Sequence, residues 1–341
     1  MKKKKIFLSL IIILSFISCS SQDGAESQPD VIPGEEPKLD QGAESQPDVI
    51  IEEDNNPEEP SWIPNIAKGF EPWDGNLYFA SSEDGLTFSD EKELFLEHAG
   101  VPNLLLTSDG LLIATFQYFS FEYENLFGIM AYMVSEDNGE TWGDIEVFDI
   151  QNSPETHGSS ELVDPTIVET EDGSLRLYYT LHKENNEHAG FASATANSID
   201  SNFVYDEDSG LISEEYRLMD PAIVHFDGLW HHLTPLPGAD GKENFHSISE
   251  DGINFERVDD IEIDLNFWGN VIKTNDGSLR FYGTRIDNDP GVTDNEVGIA
   301  FSEDGYEWVF YEDYRYDGFD PGIIQLEDDS YLLLTTIDEG E

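Results

Sequence analysis

From Asn76 onward, short runs of Ile, Leu, Val, Phe, Tyr and Trp alternate with polar turns, with almost no helical periodicity. Turn residues recur about every 8 to 12 positions, which predicts an all-β chain. The turns also repeat one another. Ser135-Glu136-Asp137-Asn138-Gly139-Glu140-Thr141-Trp142 returns in shorter form at Ser82 to Phe88, Ser249 to Phe255 and Ser302 to Trp308. In each, the Asp can bond back to the backbone, the Gly can take a positive φ, and an aromatic restarts a strand with a ring to bury. Four copies at a spacing of roughly 50 residues match the period of propeller blades.

Two modules alternate along this region. An inner hairpin carries an apolar strand, an acidic-Gly turn and a second apolar strand. Its copies run from Val101 to Phe116, Asp164 to Leu181, Asp220 to Thr234, Gly269 to Thr284 and Asp320 to Thr336. An outer hairpin carries the Ser-x-Asp-Gly turn, at about 76–96, 128–148, 188–205, 243–263 and 296–312; in the third copy Asn197-Ser198-Ile199-Asp200 replaces the motif. The chain opens on an outer hairpin and closes on an inner one. Pairing these two halves completes one blade, so the fold expected is a five-bladed β-propeller locked by its N-terminal outer and C-terminal inner hairpins.

In such a ring the innermost strands start beside the central axis and face a shared pocket. The residues expected there are Asn103, Asp164, Asp220, Asn270 and Asp320. Converging carboxylates suit glycoside hydrolysis, where one group activates water and another protonates the leaving oxygen. Asp-Pro is also an ordinary strand start, because Pro is tolerated at a first strand residue. Arg217, three residues before Asp220, could pair with a pocket carboxylate or a sugar hydroxyl. Trp268 and Trp230 could stack on a sugar ring or simply pack in the core.

Asp164-Pro-Thr-Ile, Asp220-Pro-Ala-Ile and Asp320-Pro-Gly-Ile, set in this inner-outer repeat, resemble the five-bladed arabinanase, xylosidase and invertase group of glycoside hydrolases. The resemblance covers about residues 76–341. It implies an axial pocket with an Asp base, an orienting Asp and a Glu acid, and the three Asp-Pro residues match the Asp positions. It assigns Asp164 or Asp320 as base and Asp220 as the orienting group. No Glu stands at an equivalent strand start, and Glu161 is merely nearby. The Ser-x-Asp-Gly turn is similar to the Asp-box of sialidases, and Gly100-Val101-Pro102-Asn103-Leu104 to their Arg-Ile-Pro strand, with Gly100 where their Arg stands. Sialidases are six-bladed and use three Arg; this chain has six Arg in all, Arg176 and Arg280 at matching second-strand places.

Composition changes the picture outside the repeats. Lys2 to Lys5 precede an apolar run from Ile6 to Phe16, too short to span a bilayer comfortably, and Ser18-Cys19 follows. This resembles a bacterial lipoprotein signal: residues 1–18 would be removed and Cys19, the only cysteine, lipidated. Residues 19–62 repeat the nonapeptide Gly-Ala-Glu-Ser-Gln-Pro-Asp-Val-Ile and are acidic and poor in apolar residues, as expected of a disordered tether ahead of a propeller at 63–341. With 16 Lys+Arg against 73 Asp+Glu the net charge is −57, which disfavours nucleic acid and anionic membranes as partners.

Seven of the eight histidines (His157, His182, His188, His225, His231, His232 and His246) are concentrated in the second and third blades, lack metal-ligand spacing and are expected to make surface or rim hydrogen bonds. No cofactor is expected, although the loop from Asp287 to Glu296 could hold calcium through oxygen ligands. The expectations are therefore a monomeric, membrane-anchored envelope protein that processes or binds an extracellular oligo- or polysaccharide. A non-catalytic glycan- or protein-binding propeller is the alternative, and an exo-sialidase or a calcium-dependent scaffold is a weaker one.

Overall fold

The computed structural model describes residues 73–154, 162–182, 189–213, 215–236, 243–285 and 296–338. The proposed signal, Cys19, the tether, Glu161, His157, His188 and most of the Asp287–Glu296 loop lie outside the described residues.

The strands form five sheets, antiparallel apart from one short rim pair, each built outward from one inner strand. Blade 1 contains Ala99–Leu106, Leu112–Phe119, Phe127–Ser135 and Glu146–Val147. Blade 2 contains Leu162–Glu169, Leu175–His182, Ala189–Ala196 and Phe203–Tyr205, with Ile150–Gln151 added in parallel at its rim and Leu211–Ile212 also on Ala189–Ala196. Blade 3 contains Ala222–Phe226, Leu229–Pro235, Glu243–Ser249 and Glu256–Arg257; blade 4 contains Gly269–Lys273, Leu279–Arg285, Glu296–Ser302 and Val309–Asp317. Blade 5 joins the two ends of the propeller: Phe319–Gln325 and Tyr331–Asp338 continue into Gly75–Ser82 and Glu93–Leu96. Its closing ladder runs from Gly75 opposite Asp338 to Ser82 opposite Tyr331. The inner strands touch their neighbours in a complete ring. The predicted five-bladed β-propeller, closed by that hairpin exchange, is therefore the observed fold.

The hydrophobic pattern follows from this stacking. Middle strands are covered on both faces by adjacent blades, so they read as nearly continuous apolar runs. Leu177, Tyr178, Tyr179 and Thr180 are all at 0% exposure in sequence. Outermost strands meet solvent and alternate irregularly, as in Val309–Asp317.

The Ser-x-Asp-Gly turns of blades 1, 3, 4 and 5 lie at the end of the blade opposite the start of its inner strand. Ser82 Oγ accepts the N–H groups of Asp84 and Gly85, and Asp84 Oδ1 accepts those of Leu86 and Thr87 at 2.8 and 2.9 Å. These backbone bonds, Thr87 first, hold the Asp84 carboxyl below its ordinary range. Gly85 sits at φ 69°. A Cβ there would lie 2.6 Å from Arg280 Nη1, so the position needs glycine both for conformation and for space. The turn aromatics pack on the preceding blade: Phe88 on Tyr282, Phe255 on Tyr178, and Trp142 on Phe79 and Phe95.

Arg176 and Arg280 serve the same joints. Arg176 Nη1 donates to Asp251 O and Tyr178 Oη to Gly252 O; Arg280 Nη1 donates to Asp84 O and Tyr282 Oη to Gly85 O. Both arginines are thus inter-blade clamps. Tyr282→Phe is expected to leave a buried carbonyl unpaired and to lower unfolding free energy by about 1–3 kcal/mol, read from urea denaturation.

Candidate functional site

Each inner strand of blades 1, 2 and 5 begins with a bulge. Pairing jumps between Gly100 and Asn103, Val163 and Thr166, and Phe319 and Gly322. The bulged residues Val101, Asp164 and Asp320 have φ of 51°, 57° and 46°, and Asp220 of blade 3 has 53°. Left-handed backbone is tolerable for Asp but costly for a β-branched Val. Because Val101 adopts it too, the bulge is a property of the repeat, and the aspartates exploit a direction the architecture already supplies.

This register corrects the predicted position of two residues. Asn103 and Asn270 do not align with the aspartates; they align with Thr166, Ala222 and Gly322, two residues further along. Counted from the paired residues, the aspartate position is Val101 in blade 1, Asp164 in blade 2, Asp220 in blade 3 and Asp320 in blade 5; blade 4 has no bulge, and Trp268, opposite Thr284 as Phe319 is opposite Thr336, takes the place of the residue before the aspartate. The error arose because sequence matching cannot see a bulge, which shifts the apparent strand start. Asn103 Oδ1 accepts the Ile167 N–H at 3.0 Å, and Asn270 Oδ1 accepts the Ile323 N–H at 3.4 Å. Both are 4% exposed and tie one inner strand to the next.

The three aspartates do converge. Asp164 and Asp220 share a carboxyl–carboxyl hydrogen bond, and the Asp164 charge also acts on Asp320. Asp164 is 5% exposed. Asp220 and Asp320 keep a partly exposed edge but lie deep in the protein. Desolvation, then the neighbouring carboxylates, pushes Asp220 well above the carboxylate range. Desolvation and the Asp164 charge push Asp320 up to about 7, against a lowering bond from Thr284. A hydrogen bond between two carboxyl groups needs a proton; Asp220 carries it and Asp164 accepts. Among the described residues the charges that act on Asp220 and Asp320 are those of other carboxylates, with no basic group among them.

Threonines of the preceding blades hold two of these strained backbones. The Asp220 N–H donates to Thr180 Oγ1 at 3.0 Å and the Asp320 N–H to Thr284 Oγ1 at 2.8 Å. Thr284 also donates its N–H to Trp268 O at 2.8 Å, fixing the backbone of the half-buried Trp268. Sequence reading missed these threonines, although Thr180, Thr284 and Thr336 recur two residues after Tyr178, Tyr282 and Leu334 on second strands.

Other candidates lie elsewhere. Arg217 Nε is buried without a hydrogen-bond partner among the described residues, and its charge is not among those that shift Asp220. Trp230 is 6% exposed beside the turn at Asp227-Gly228, at the far end of blade 3 from Asp220. The expected rim role for histidines is corrected for three of them: His231, His232 and His246 are at most 2% exposed. His231 Nδ1 lies 3.0 Å from His246 Nε2, and His232 Nδ1 lies 3.0 Å from Ser247 Oγ. Among the described residues no group of His, Cys, Asp or Glu is arranged to hold a metal ion.

No family model matches the sequence, and no curated protein matches it. Solved structures do match in fold. An endo-arabinase from Bacteroides thetaiotaomicron aligns at TM-score 0.53 and 14% identity, over 71% of this chain and 90% of its own. An exo-β-1,3-galactanase from Clostridium thermocellum aligns at 0.48 and 18%, over 74% and 57%. A family 117 glycoside hydrolase from Zobellia galactanivorans aligns at 0.47 and 12%, over 80% and 88%. The chain is a five-bladed β-propeller with structural neighbours among glycoside hydrolases.

Proposed function

We propose that the propeller hydrolyses a glycosidic bond of a neutral glycan in its axial pocket. The observation that carries this reading is the cluster of Asp164, Asp220 and Asp320, in which burial and mutual repulsion keep protons on two carboxyls at a pH where isolated ones are ionised. Asp164 takes a proton from the attacking water. Oxygen of that water bonds to the anomeric carbon as the glycosidic C–O bond breaks, and the leaving oxygen takes the proton of Asp320. The proton on Asp164 then returns to solvent and Asp320 is reprotonated, so the cycle balances. Asp220 keeps Asp164 oriented through their hydrogen bond, and Trp268 offers an aromatic face to the sugar ring.

An acidic sugar fits poorly, because a pocket governed by carboxylate charges repels a substrate carboxylate. This weighs against a sialidase. Lipidation at Cys19 and an acidic tether at 19–62, which would hold the propeller outside the cytoplasm at a membrane, complete the proposal. Asp164→Asn, Asp220→Asn and Asp320→Asn, made one at a time, are expected to abolish sugar release from the neutral oligosaccharides that the wild type cleaves. Full activity in all three variants would sink the hydrolase reading.

A second reading is favoured by one observation: apolar Val101 fills the aspartate place in blade 1, blade 4 has no bulged residue there, and among the described residues no Glu acts on Asp220 or Asp320. Such a pocket would bind a glycan without cleaving it. Retention on a glycan array with no product formed would support it.

A further inference from the structure

We infer that Thr284 is the positioning residue of this pocket, holding the Asp320 carboxyl in its working orientation and tying it to Trp268. The inference rests on the hydrolytic reading and adds to it how the acid is controlled.

Thr284 Oγ1 makes three contacts at once. It accepts the Asp320 N–H at 2.8 Å, lies 3.3 Å from Asp320 Oδ1 and lies 3.2 Å from Trp268 O. The side chain is 3% exposed, so water does not compete for it. A hydroxyl has one hydrogen to give. It can donate to the Asp320 carboxyl or to the Trp268 carbonyl, not fully to both. When Asp320 is ionised the stronger, charge-assisted bond draws the hydrogen to Oδ1. When Asp320 is protonated, that attraction disappears and the hydrogen turns to Trp268 O, which also receives the Thr284 N–H. The rotation of one hydroxyl therefore follows the proton of the acid. It links that proton to the backbone carrying the aromatic face.

The repeats supply internal controls. Thr180 occupies the same register in blade 2, and among the described residues its Oγ1 accepts only the Asp220 N–H. Thr336 occupies it in blade 5, where the next inner strand offers Val101 instead of Asp, and Thr336 Oγ1 is buried without a hydrogen-bond partner among the described residues. A threonine kept only for strand propensity would show the same bonds at each copy. Among the described residues only Thr284 contacts a carboxyl, a pocket amide and a pocket carbonyl together.

The test is a titration of Asp320 by carbon NMR on protein labelled at aspartate carboxyls, with Asp320→Asn used to assign its signal. In wild type the Asp320 midpoint should lie near 7. Thr284→Val should move it upward, because the bond that favours the ionised form is gone, and Thr284→Ser should restore it. Thr180→Val should leave it in place. On any glycan the wild type cleaves, Thr284→Val should lower kcat roughly tenfold with KM nearly unchanged, the loss expected for one hydrogen bond to a charged group. Should Thr284→Val fold poorly by circular dichroism, Thr284→Ala gives the same comparison without the β-branch. An unmoved Asp320 midpoint in a folded Thr284 variant overturns the inference and leaves the hydrolase reading standing. A moved midpoint in a protein that cleaves no glycan supports the Thr284 link and removes the hydrolase reading instead.

Discussion

Asp320→Asn should lower turnover by about 10²–10⁴-fold, the usual contribution of a general acid, while raising the melting temperature at pH 8. The two effects have one cause. Burial and the Asp164 charge push the Asp320 carboxyl up to about 7, whereas in the unfolded chain it titrates near 3.8. Between those values the folded state binds more protons than the unfolded one, so stability falls as pH rises from about 4 to 7 and stays low above. At pH 8 the native protein holds a buried, repelled carboxylate at a cost on the order of a few kcal/mol. Asn has a similar shape and no charge, so it releases that cost but has no proton to donate. Activity of the wild type should decline above about pH 7 as Asp320 ionises. A pH-rate profile and thermal melts of both proteins at pH 5 and pH 8 check this. Retained turnover would remove Asp320 as the acid, and a lower melting temperature at pH 8 would contradict the cost of its charge.

The second large effect is loss of stability in acid around blade 3, where His231 and His246 face Tyr306 of blade 4 and His232 faces Phe191 of blade 2. Burial first, and then the charge of His231, lowers His246 to about 3; burial and then the charge of His225 hold His231 below its ordinary value; burial lowers His232 to about 3. In the unfolded chain each titrates near 6.5. Below that pH the unfolded state takes up protons that the folded state refuses. The stabilising contribution is therefore complete above about 6.5 and is lost progressively as pH falls toward 3. By pH 4.5 the three together should remove several kcal/mol. Protonation of carboxylates acts the other way by relieving the repulsion within a chain of net charge −57.

A comparison isolates the histidines from that background. His231→Leu/His246→Leu should lose less melting temperature between pH 7.5 and 4.5 than the wild type does. Equal losses would show that the pair does not set acid stability. The joint itself explains why histidine stands there. His231 takes the register of Arg176 and Arg280, and a Cβ on Gly305 would meet its ring at 2.6 Å. A clamp that is permanently cationic in two blades is neutral in this one.

Much of the fold was legible because it is written in local chemistry. Ser82, Asp84 and Gly85 need only their own neighbours to make the turn, and three further copies announce the repeat, whose five inner and five outer hairpins give the blade count. The aspartates were legible as candidates because Asp-Pro recurs at inner-strand starts. Asn103 and Asn270 were misplaced by two residues because a bulge leaves no separate mark in the residue types. Thr284 was invisible because its partners, Asp320 and Trp268, lie 36 and 16 positions away. The buried histidines were misjudged because His is common at rims, and only the facing blades show that His231 and His246 have each other and no water.

What the sequence by itself determined is therefore the repeat: the all-β class, five inner and five outer hairpins, and a closure made from the two ends. Each of these follows from residues within one turn or one strand. What only the tertiary structure decided is which side chains share the axis and what state their protons take. Ring closure brings Asp164, Asp220 and Asp320 together across 156 residues of chain, and removal from water with mutual repulsion gives them proton affinities no isolated aspartate has. Desolvation and charge coupling depend on distances in space, and those are set by the ring.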